Sequence, residues 1–287
     1  MIFRRTQRRA SEKAGKAKDS ADSSSWSTVR FIITLIVLAW AIRSFIVAPF
    51  SIPSGSMLPT LYVGDYLLVA KWPYGYSKYS FPLGVPAFEG RLLGRQPARG
   101  DVVVFRHPDG RSDLIKRVIG IPGDTIEVKG GAVTLNGKAL RRKPIAPVRI
   151  AISANSPCKT VPPMAPKVEN EAGQAYCLYP AYRESLPDGQ SYVTLDQVGD
   201  GEADNFGPVT VPAGRVFLMG DNRDDSLDSR FEPYNGGIGM VPNDHLIGRA
   251  LVTFWSTDGS AAYINPLSWI GALRGTRLGN RYSDEWQ

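Results

Sequence analysis

An apolar segment near the N-terminus, residues 26–50, most limits what this chain can fold into. Its central part, residues 31–42, holds no charged residue, Gly or Pro, and the segment's charges, Arg30 and Arg43, lie toward its two ends. As a helix, these 25 residues span about 37 Å, enough to cross a hydrocarbon layer of about 30 Å with some tilt. Long arginine side chains near the ends can extend to the interface. We therefore predict a single transmembrane anchor.

A cleavable signal peptide is the alternative interpretation of this segment. Ala39, Trp40 and Ala41 resemble a small-x-small cleavage site that follows a short apolar stretch. We favour the anchor because apolar residues resume beyond Arg43, from Phe45 to Ala48.

Positive charge is concentrated before and within the anchor. Residues 1–30 carry a net charge of +5 out of the total of +7, and Arg43 adds one more. The rest of the chain is nearly neutral, so the basic surface typical of a nucleic-acid-binding protein is missing and we expect no nucleic-acid partner. By the positive-inside rule the N-terminus is cytoplasmic and residues from about 51 onward are outside. The basic residues that precede the apolar segment are Arg4, Arg5, Arg8, Arg9, Lys13, Lys16 and Lys18.

Two cysteines, Cys158 and Cys177, fall in the part predicted to lie outside the cytoplasm, where a disulfide is chemically permitted. It would close a loop of about 20 residues and contribute about 3 kcal/mol in the chain-entropy model. Two unpaired cysteines acting as small apolar side chains are the alternative. We favour the disulfide because the surrounding segment is rich in Pro and poorly suited to forming a large core.

Short apolar segments bounded by Gly, Pro or Asp predict strands after the anchor. The predicted strands are residues 66–70, 102–105, 114–119, 125–128, 132–135, 209–211, 216–219 and 248–255. Residues 140–206 lack that regularity and are interpreted as an inserted lobe. A short helix is predicted near residues 267–273.

Residues 53–61, a Ser-, Gly- and Pro-containing segment directly after the anchor, place Ser54 and Ser56 in a constrained turn. A serine nucleophile needs a nearby base, and a tetrahedral oxyanion needs fixed donors. The Ser56 backbone N–H and the Ser54 hydroxyl are candidates for those donors. Taken alone, the segment fits a simple linker better.

Lys116 is the candidate base. In a strand over residues 114–119 its side chain shares a face with Leu114 and Val118, and burial lowers the pKa of a lysine toward the range useful for a general base. An edge-strand lysine that points to water is the alternative. The histidines His107 and His245 lack partners at metal-ligand spacing, so we expect no zinc site.

A polar loop, residues 220–230, follows an apolar predicted strand. In it Asp228 and Arg230 are placed to pair, and Ser226 to orient a neutral lysine. A solvated turn is the alternative. A calcium loop does not fit, because Arg223 and Ser226 occupy the positions of a ligand and of the required Gly, and we expect no metal.

Together these segments resemble the bacterial type I signal peptidases, membrane-bound Ser/Lys endopeptidases that remove signal peptides from exported proteins. The blocks that carry the resemblance appear in the family's order and are residues 53–61, 64–71, 99–105, 116–124, 220–230, 241–242 and 248–250. Agreement over several separate blocks is far more specific than one short motif.

The resemblance implies a role for each candidate residue. Ser56 is the nucleophile, Lys116 the general base, and Ser54 completes the oxyanion hole beside the N–H of Ser56. Ser226 orients the lysine, and Asp228 and Arg230 form the pair that shapes the site. Four further residues are implied to line pockets for the small side chains one and three residues before the cut, as in Ala-x-Ala: Phe50, Ile52, Pro53 and Ile115.

The family resemblance also implies a mainly antiparallel β catalytic domain of the signal peptidase type, with an inserted lobe and one preceding transmembrane helix. We therefore expect a basic cytoplasmic tail (1–25), the anchor (26–50), a catalytic core in two parts (51–139 and 207–287, the latter with a C-terminal segment) and the inserted lobe (140–206). The expected protein is a monomer of the bacterial inner membrane with its catalytic domain in the periplasm. Its expected partners are exported preproteins and the lipid bilayer, and it needs no cofactor.

The sequence has two other interpretations. Residues 156–159 match the S-x-x-K pattern of penicillin-binding enzymes and β-lactamases, but the Pro-rich surroundings oppose the helix that this pattern opens, and S-D-N and K-T-G are missing from the sequence. The remaining alternative is an inactive or binding-only β-domain tethered to the membrane.

Overall fold

The computed structural model describes residues 26–159, 167–198, 201–262 and 264–282. The predicted cytoplasmic tail, residues 1–25, lies outside the described residues. The first element of the described part is the apolar helix α1 (Trp26–Ile46), whose last turn, Ile42–Ile46, is π-helical. This helix is almost wholly exposed and is long and apolar enough to cross a membrane. It ends four residues before the predicted end of the anchor, at residue 50, because Val47–Ser51 form the first strand.

Most of the remaining regular structure is strand. The strands are β1 (Val47–Ser51), β2 (Asp65–Ala70), β3 (Val102–Arg106), β4 (Asp113–Gly120), β5 (Thr125–Lys129), β6 (Ala132–Leu135), β7 (Lys138–Ala139), β8 (Arg141–Ala151), β9 (Lys167–Glu171), β10 (Gln174–Ser185), β11 (Ser191–Leu195), β12 (Phe206–Thr210), β13 (Arg215–Met219), β14 (Val241–Pro242) and β15 (Leu246–Ser256). A helix, α2 (Pro266–Ala272), lies near the predicted position. The short 3-10 helices are Trp72–Tyr74, Lys78–Ser80, Pro82–Gly84, Glu202–Asp204, Arg223–Asp225, Pro233–Asn235, Asn243–His245 and Gly275–Arg277.

A seven-stranded antiparallel sheet, in the order β1-β2-β15-β3-β4-β13-β14, carries the candidate residues. Alternate residues of β3 enter two different apolar cores: Val102 and Val104 pack in one, and Val103 and Phe105 in the other. Because alternate side chains of a strand point to opposite faces, this part of the sheet is covered on both faces. The predicted mainly antiparallel β fold with one N-terminal apolar helix is confirmed.

Residues 140–206, for which the sequence pattern predicts no strands, contain four. Strands β8, β9, β10 and β11 form a four-stranded antiparallel sheet there, in which β10 is central. The strand pattern is hidden by prolines: Pro144 and Pro147 lie in β8, an edge strand, and Pro180 lies where the β8–β10 register shifts. Edges and bulges are the places where a sheet accepts residues that lack an N–H.

Strands β12, β5, β6 and β7 form the third sheet, and β12 begins and ends earlier than the predicted strand at 209–211. Cys177, on β10, is bonded to Cys158, with their Cα atoms 5.3 Å apart. Cys177 is buried in an apolar cluster with Leu58, which follows the Ser56 turn. The disulfide thus ties the segment before residue 160 to the sheet beside that turn.

Candidate active site

Ser56 lies in a tight turn after β1 that its neighbours hold in place. The Leu58 N–H donates to the Gly55 carbonyl at 3.1 Å, and the Leu61 N–H to the Met57 carbonyl at 2.9 Å. Met57 and Leu61 are fully buried in the core beneath the sheet. Two large apolar side chains thus fix the turn from below and leave Ser56, 8% exposed, at a defined position.

Lys116 approaches this serine from β4, where it pairs in register with Val103 of β3. Its Nζ lies 2.5 Å from the Ser56 Oγ, and the residue is only 4% exposed. Burial lowers the pKa of Lys116 to about 8, against the opposing effect of Asp228, Asp221 and Asp225, whose charges favour the ammonium. A lysine of this pKa is substantially neutral under mildly alkaline conditions and can accept a proton from the hydroxyl that it touches.

Ser54 lies beside Ser56 at the surface. The two Oγ atoms are 3.5 Å apart, and Ser54 is exposed whereas Ser56 is buried. Within the described residues, the Ser56 N–H makes no backbone hydrogen bond. A hydroxyl and an uncommitted N–H therefore lie close to the Ser56 oxygen, as an oxyanion site requires.

The loop that follows β13 is built around Asp228. Its carboxylate accepts from the Arg230 Nε and Nη2, both at 2.9 Å, and from the Gly220 N–H at 3.0 Å. The Ser226 hydroxyl donates to the same carboxylate at 2.8 Å. We expected this hydroxyl to orient Lys116, but no hydrogen bond joins the two in the described part of the chain. The Ser226 hydroxyl donates instead to the Asp228 carboxylate, which is the stronger acceptor because it is charged.

Asp228 is ionised in this environment. Burial raises the pKa of its carboxyl, but the charge and hydrogen bonds of Arg230, the Gly220 N–H and the charge of Lys116 outweigh burial and hold the pKa below its ordinary value. Arg230 also donates to the carbonyl of Arg223 at 2.7 Å and to that of Ala203 at 3.2 Å, so further donors of its guanidinium are satisfied. The result is a fixed negative charge near Lys116, held by a buried and extensively hydrogen-bonded pair.

Asn222 and Gly220 belong to the site although sequence reasoning did not single them out. The Asn222 N–H donates to the Ser56 carbonyl at 3.0 Å, and its Nδ2 donates to the Gly55 carbonyl at 3.1 Å. A Cβ at Gly220 would lie 2.6 Å from the Ser56 carbonyl oxygen and 2.3 Å from the Ser226 Oγ, so only Gly permits this approach. The signal available in the sequence was the density of polar residues in 220–230.

A second clamp joins the same loop to β4. Arg117, next to the candidate base, donates from Nε and Nη2 to the two carboxylate oxygens of Asp221, at 2.8 and 2.7 Å. The Thr60 hydroxyl donates to Asp221 as well, at 2.5 Å. Because Arg117 and Asp221 are both buried, this bidentate pair fixes the loop relative to the strand and the serine turn.

A small cavity of about 40 Å³ opens beside Ser56 and Lys116. The four predicted pocket residues all line it: Phe50, Ile52, Pro53 and Ile115. At 10–15 Å³ for each enclosed water, its volume corresponds to about three water molecules. The space enclosed beside Ser56 is therefore small.

Three carboxylates, among the described residues, are close enough together to hold a metal ion. Asp196, Asp204 and Asp224 place ligand oxygens within 4.8 Å of one another. Arg142 pairs with Asp196 and already supplies positive charge there. Burial, with the charges of Asp224 and Asp204, raises the pKa of Asp196 to about 6 despite this arginine.

Comparison with known proteins gives one family. A family model described as "Signal peptidase, peptidase S26" matches residues 25–255. The signal peptidase I of Rickettsia typhi is 33% identical over 262 residues, covering 85% of this chain and 89% of the relative. That of Rickettsia canadensis is 31% identical over 271 residues, covering 88% and 91%.

A solved structure of a signal peptidase I from Enterococcus faecalis V583 is also similar. It is 23% identical, with a TM-score of 0.27, and the match covers 54% of this chain and 97% of that one.

Proposed function

The chain belongs to the signal peptidase family S26, and from this premise we propose that it cleaves preproteins after small-x-small sites with Ser56 as nucleophile and Lys116 as general base. Family membership makes it a serine endopeptidase that acts on signal peptides. The observation that carries the dyad is the distance of 2.5 Å between the Lys116 Nζ and the Ser56 Oγ.

Acylation begins with neutral Lys116. Its Nζ accepts the Ser56 proton while the Oγ attacks the carbonyl carbon of the residue before the cut. The protonated lysine then donates this proton to the leaving amine, and the acyl group remains on Ser56. Deacylation repeats the sequence with a water molecule, whose proton Lys116 accepts, and this route uses neither a metal nor an organic cofactor.

The oxyanion of each tetrahedral intermediate is stabilised by the Ser56 N–H and the Ser54 hydroxyl. Ser54 is near enough to reach it, since its Oγ lies 3.5 Å from the nucleophilic oxygen. Asn222 supports this role because it holds the Ser56 and Gly55 carbonyls by two hydrogen bonds. The turn therefore does not have to reorganise as charge develops.

Ser226, Asp228 and Arg230 act by positioning. Asp228 is held by Arg230 and Ser226, and its charge favours the protonated form of Lys116. It thereby limits how far burial lowers the pKa of the base, and it stabilises the ammonium formed at each step.

Selectivity for small residues follows from the volume of the 40 Å³ cavity. Ile115 and Ile52 lie in the apolar core beside it, so it cannot widen without disturbing packed side chains. A methyl group one residue before the cut fits, whereas a branched or aromatic side chain meets packed walls. This favours Ala-x-Ala sites.

We place the protein in the bacterial inner membrane by its apolar helix α1, with the basic tail in the cytoplasm and the catalytic domain on the other side. A monomer anchored in the bilayer presents Ser56 to preproteins that are themselves inserted in it. The division into a two-part catalytic core around residues 140–206 belongs to this proposal too.

The test is cleavage of a preprotein with an Ala-x-Ala site by the full-length protein in detergent. Ser56→Ala and Lys116→Ala should abolish cleavage, because each removes one of the two reacting groups. Ser260→Ala and Lys138→Ala are matched controls at exposed positions and should cut at the wild-type rate. An inactive wild-type protein would instead support the binding-only domain, and cutting by the Ser56 variant would refute the assigned nucleophile.

A further inference from the structure

A second cavity, of about 280 Å³, adjoins Ser56 on the side away from Lys116. It shares Pro53, Ser54 and Ser56 with the 40 Å³ cavity. We propose that this mature-side cavity binds the first residues of the mature protein, those that follow the scissile bond. The proposal rests on the proposed function and extends it to the leaving-group half of the substrate.

The position of the cavity supports this assignment. The smaller cavity extends from Ser56 toward Ile115 and Lys116 on β4, whereas the mature-side cavity extends toward Asn222 and the segment that carries the disulfide. A peptide bound across Ser56 with its signal-peptide residues in the smaller cavity has its scissile bond at the Ser56 hydroxyl. The chain beyond that bond then continues into the mature-side cavity.

The floor of the cavity is apolar. Leu58, Ile150, Tyr179 and Cys177 line it and belong to one buried cluster. Its volume is several times that of the first cavity. We therefore expect it to accept larger side chains than the signal-peptide side does, and to contribute affinity through apolar contact.

Two residues of the cavity wall each have a polar side-chain atom that lacks a hydrogen-bond partner among the described residues. The Ser156 Oγ and the Asn222 Oδ1 are buried and have no partner within the part of the chain that the structure describes. A buried polar atom without a partner is costly. The N–H and C=O groups of an extended peptide would supply the missing partners, and Asn222 would then hold the serine turn and the substrate together.

The rim carries a charged pair. Lys159 Nζ lies 3.2 Å from both carboxylate oxygens of Asp225, and the lysine side chain is largely exposed. Adjacent to Lys159, the disulfide between Cys158 and Cys177 fixes this wall to β10. The wall is thus fixed in position before the substrate binds, which reduces the entropy lost on binding.

The test compares two substrates that share one signal-peptide sequence ending in Ala-x-Ala. One ends in an N-methylamide, so nothing follows the scissile bond except a methyl group; the other continues for three mature residues. We expect the extension to raise kcat/KM of the wild-type protein by about tenfold or more, because binding beyond the cut contributes to transition-state stabilisation. Equal kcat/KM values for the two substrates would overturn the proposal.

Ser156→Leu tests the wall directly by filling the cavity and removing the hydroxyl. It should lower the ratio of kcat/KM for the extended peptide to that for the N-methylamide by about tenfold. Ala154→Leu is the matched control, since it places the same side chain at an exposed position of the same loop outside the cavity and should leave this ratio at the wild-type value. A Ser156→Leu variant that lowers kcat/KM by the same factor for both substrates would argue against the assignment.

Failure of the proposed function and failure of this inference are distinguishable. If the wild-type protein cleaves neither substrate, the peptidase assignment fails. If it cleaves both but gains nothing from the extension, only the mature-side cavity is refuted. The wild-type comparison needs no variant, so it decides the inference even where Ser156→Leu does not fold.

Discussion

The Lys116 Nζ and the Ser56 Oγ lie 2.5 Å apart although the residues are separated by 60 positions in the chain. Ser56 follows β1 at one edge of the seven-stranded sheet, and Lys116 lies on β4, which is next to the central strand β3. Asn222, from the loop after β13, bonds to the serine turn and closes the site between them. The contact thus depends on three strands and their connections.

The first prediction concerns pH. The rate should rise with pH and reach half of its maximum near pH 8, because burial lowers the pKa of Lys116 to about 8 and only neutral lysine accepts the serine proton. Measuring kcat/KM from ~pH 6 to ~pH 10 on an Ala-x-Ala peptide tests this. A rate that falls over this interval would contradict the dyad.

Lys71 is the control for that assignment. Burial, with a smaller opposing effect of Asp113, lowers the pKa of Lys71 to about 8 as well. Its Nζ donates to the Ser80 carbonyl at 3.2 Å and lies over the ring of Phe50. Lys71→Met should therefore keep the midpoint of the pH profile near pH 8. A midpoint that disappears in this variant would mean that Lys71, and not Lys116, sets the pH dependence of the rate.

A second prediction is that Lys116 destabilises the fold. Its folded pKa lies below the ordinary value of 10.5, so between about pH 8 and 10.5 the unfolded chain binds more protons and stability rises with pH. Below about pH 8 Lys116 lowers the free energy of unfolding by its full amount, roughly 3 kcal/mol at 1.36 kcal/mol per pKa unit. Lys116→Met should be inactive yet unfold at a higher temperature near pH 7.

Thermal unfolding of the two proteins in detergent measures this difference. The gap in Tm should be several degrees near pH 7 and should shrink near pH 10, where the wild-type lysine is neutral. A methionine variant that is less stable at both pH values would show that the hydrogen bond between Lys116 and Ser56 outweighs the cost of burying the charge.

Local sequence patterns make Ser56 and Lys116 candidates for a nucleophile and a base, but by themselves they do not decide between these roles and a simple linker or a water-facing lysine. A Gly- and Pro-bounded turn constrains the serine, and an apolar strand surrounds the lysine. Their contact could not be predicted from the local pattern, since it depends on pairing between strands distant in the chain, including a register shift between β4 and β13. Only the family resemblance supplied it in advance.

The supporting contacts were harder to predict for the same reason. Ser226 was expected to bond to Lys116, but Asp228, two residues away, is a charged acceptor within reach. Asn222 acts through its backbone N–H and its side-chain amide on residues more than 160 positions earlier. The strands of residues 141–195 were missed because prolines at an edge and at a bulge interrupt the pattern.

Asp228→Asn should shift the pH profile to lower pH. The Asp228 charge raises the pKa of Lys116 against the larger effect of burial, so removing it lowers this pKa and moves the midpoint below pH 8. Asp109→Asn, at an exposed position, removes the same charge far from the lysine and should leave the profile unchanged. A midpoint that moves upward would refute the electrostatic role of Asp228.

The Asp228→Asn variant should also be less stable than the wild-type protein, since Arg230 is left buried beside a neutral amide. Breaking a buried pair costs about 3–5 kcal/mol when one partner is removed. The pH profile is therefore measured at a temperature well below the Tm of the variant, so that unfolding does not distort the midpoint.

Ile115→Ala should lower the selectivity of the protein for a small substrate residue directly before the scissile bond. The side chain lines the 40 Å³ cavity, and shortening it makes room for a larger substrate group. We expect kcat/KM for a Val-ending site to rise relative to the Ala-ending site by roughly 10-fold or more. Competition between the two peptides in one reaction gives this ratio directly.

Ile119→Ala is the matched control. Ile119 lies on the same strand and is fully buried, but it packs in a different core cluster. Both variants should lose about 2–5 kcal/mol of stability, yet only Ile115→Ala should change the preference. Equal changes in preference would mean that general loosening of the sheet sets selectivity, not the cavity.

The disulfide between Cys158 and Cys177 should stabilise the protein without taking part in the chemistry. It closes a loop with a sequence separation of 19, for which restriction of the unfolded chain contributes about 3 kcal/mol. Replacing both cysteines by Ser should lower the Tm by several degrees, and adding reductant should do the same to the wild-type protein but not to the variant. Cleavage of the N-methylamide substrate, which does not extend into the cavity that this disulfide borders, should be retained below the Tm. Loss of that activity in the folded variant would mean that the disulfide also positions Ser56, through Leu58, which packs in the same cluster as Cys177.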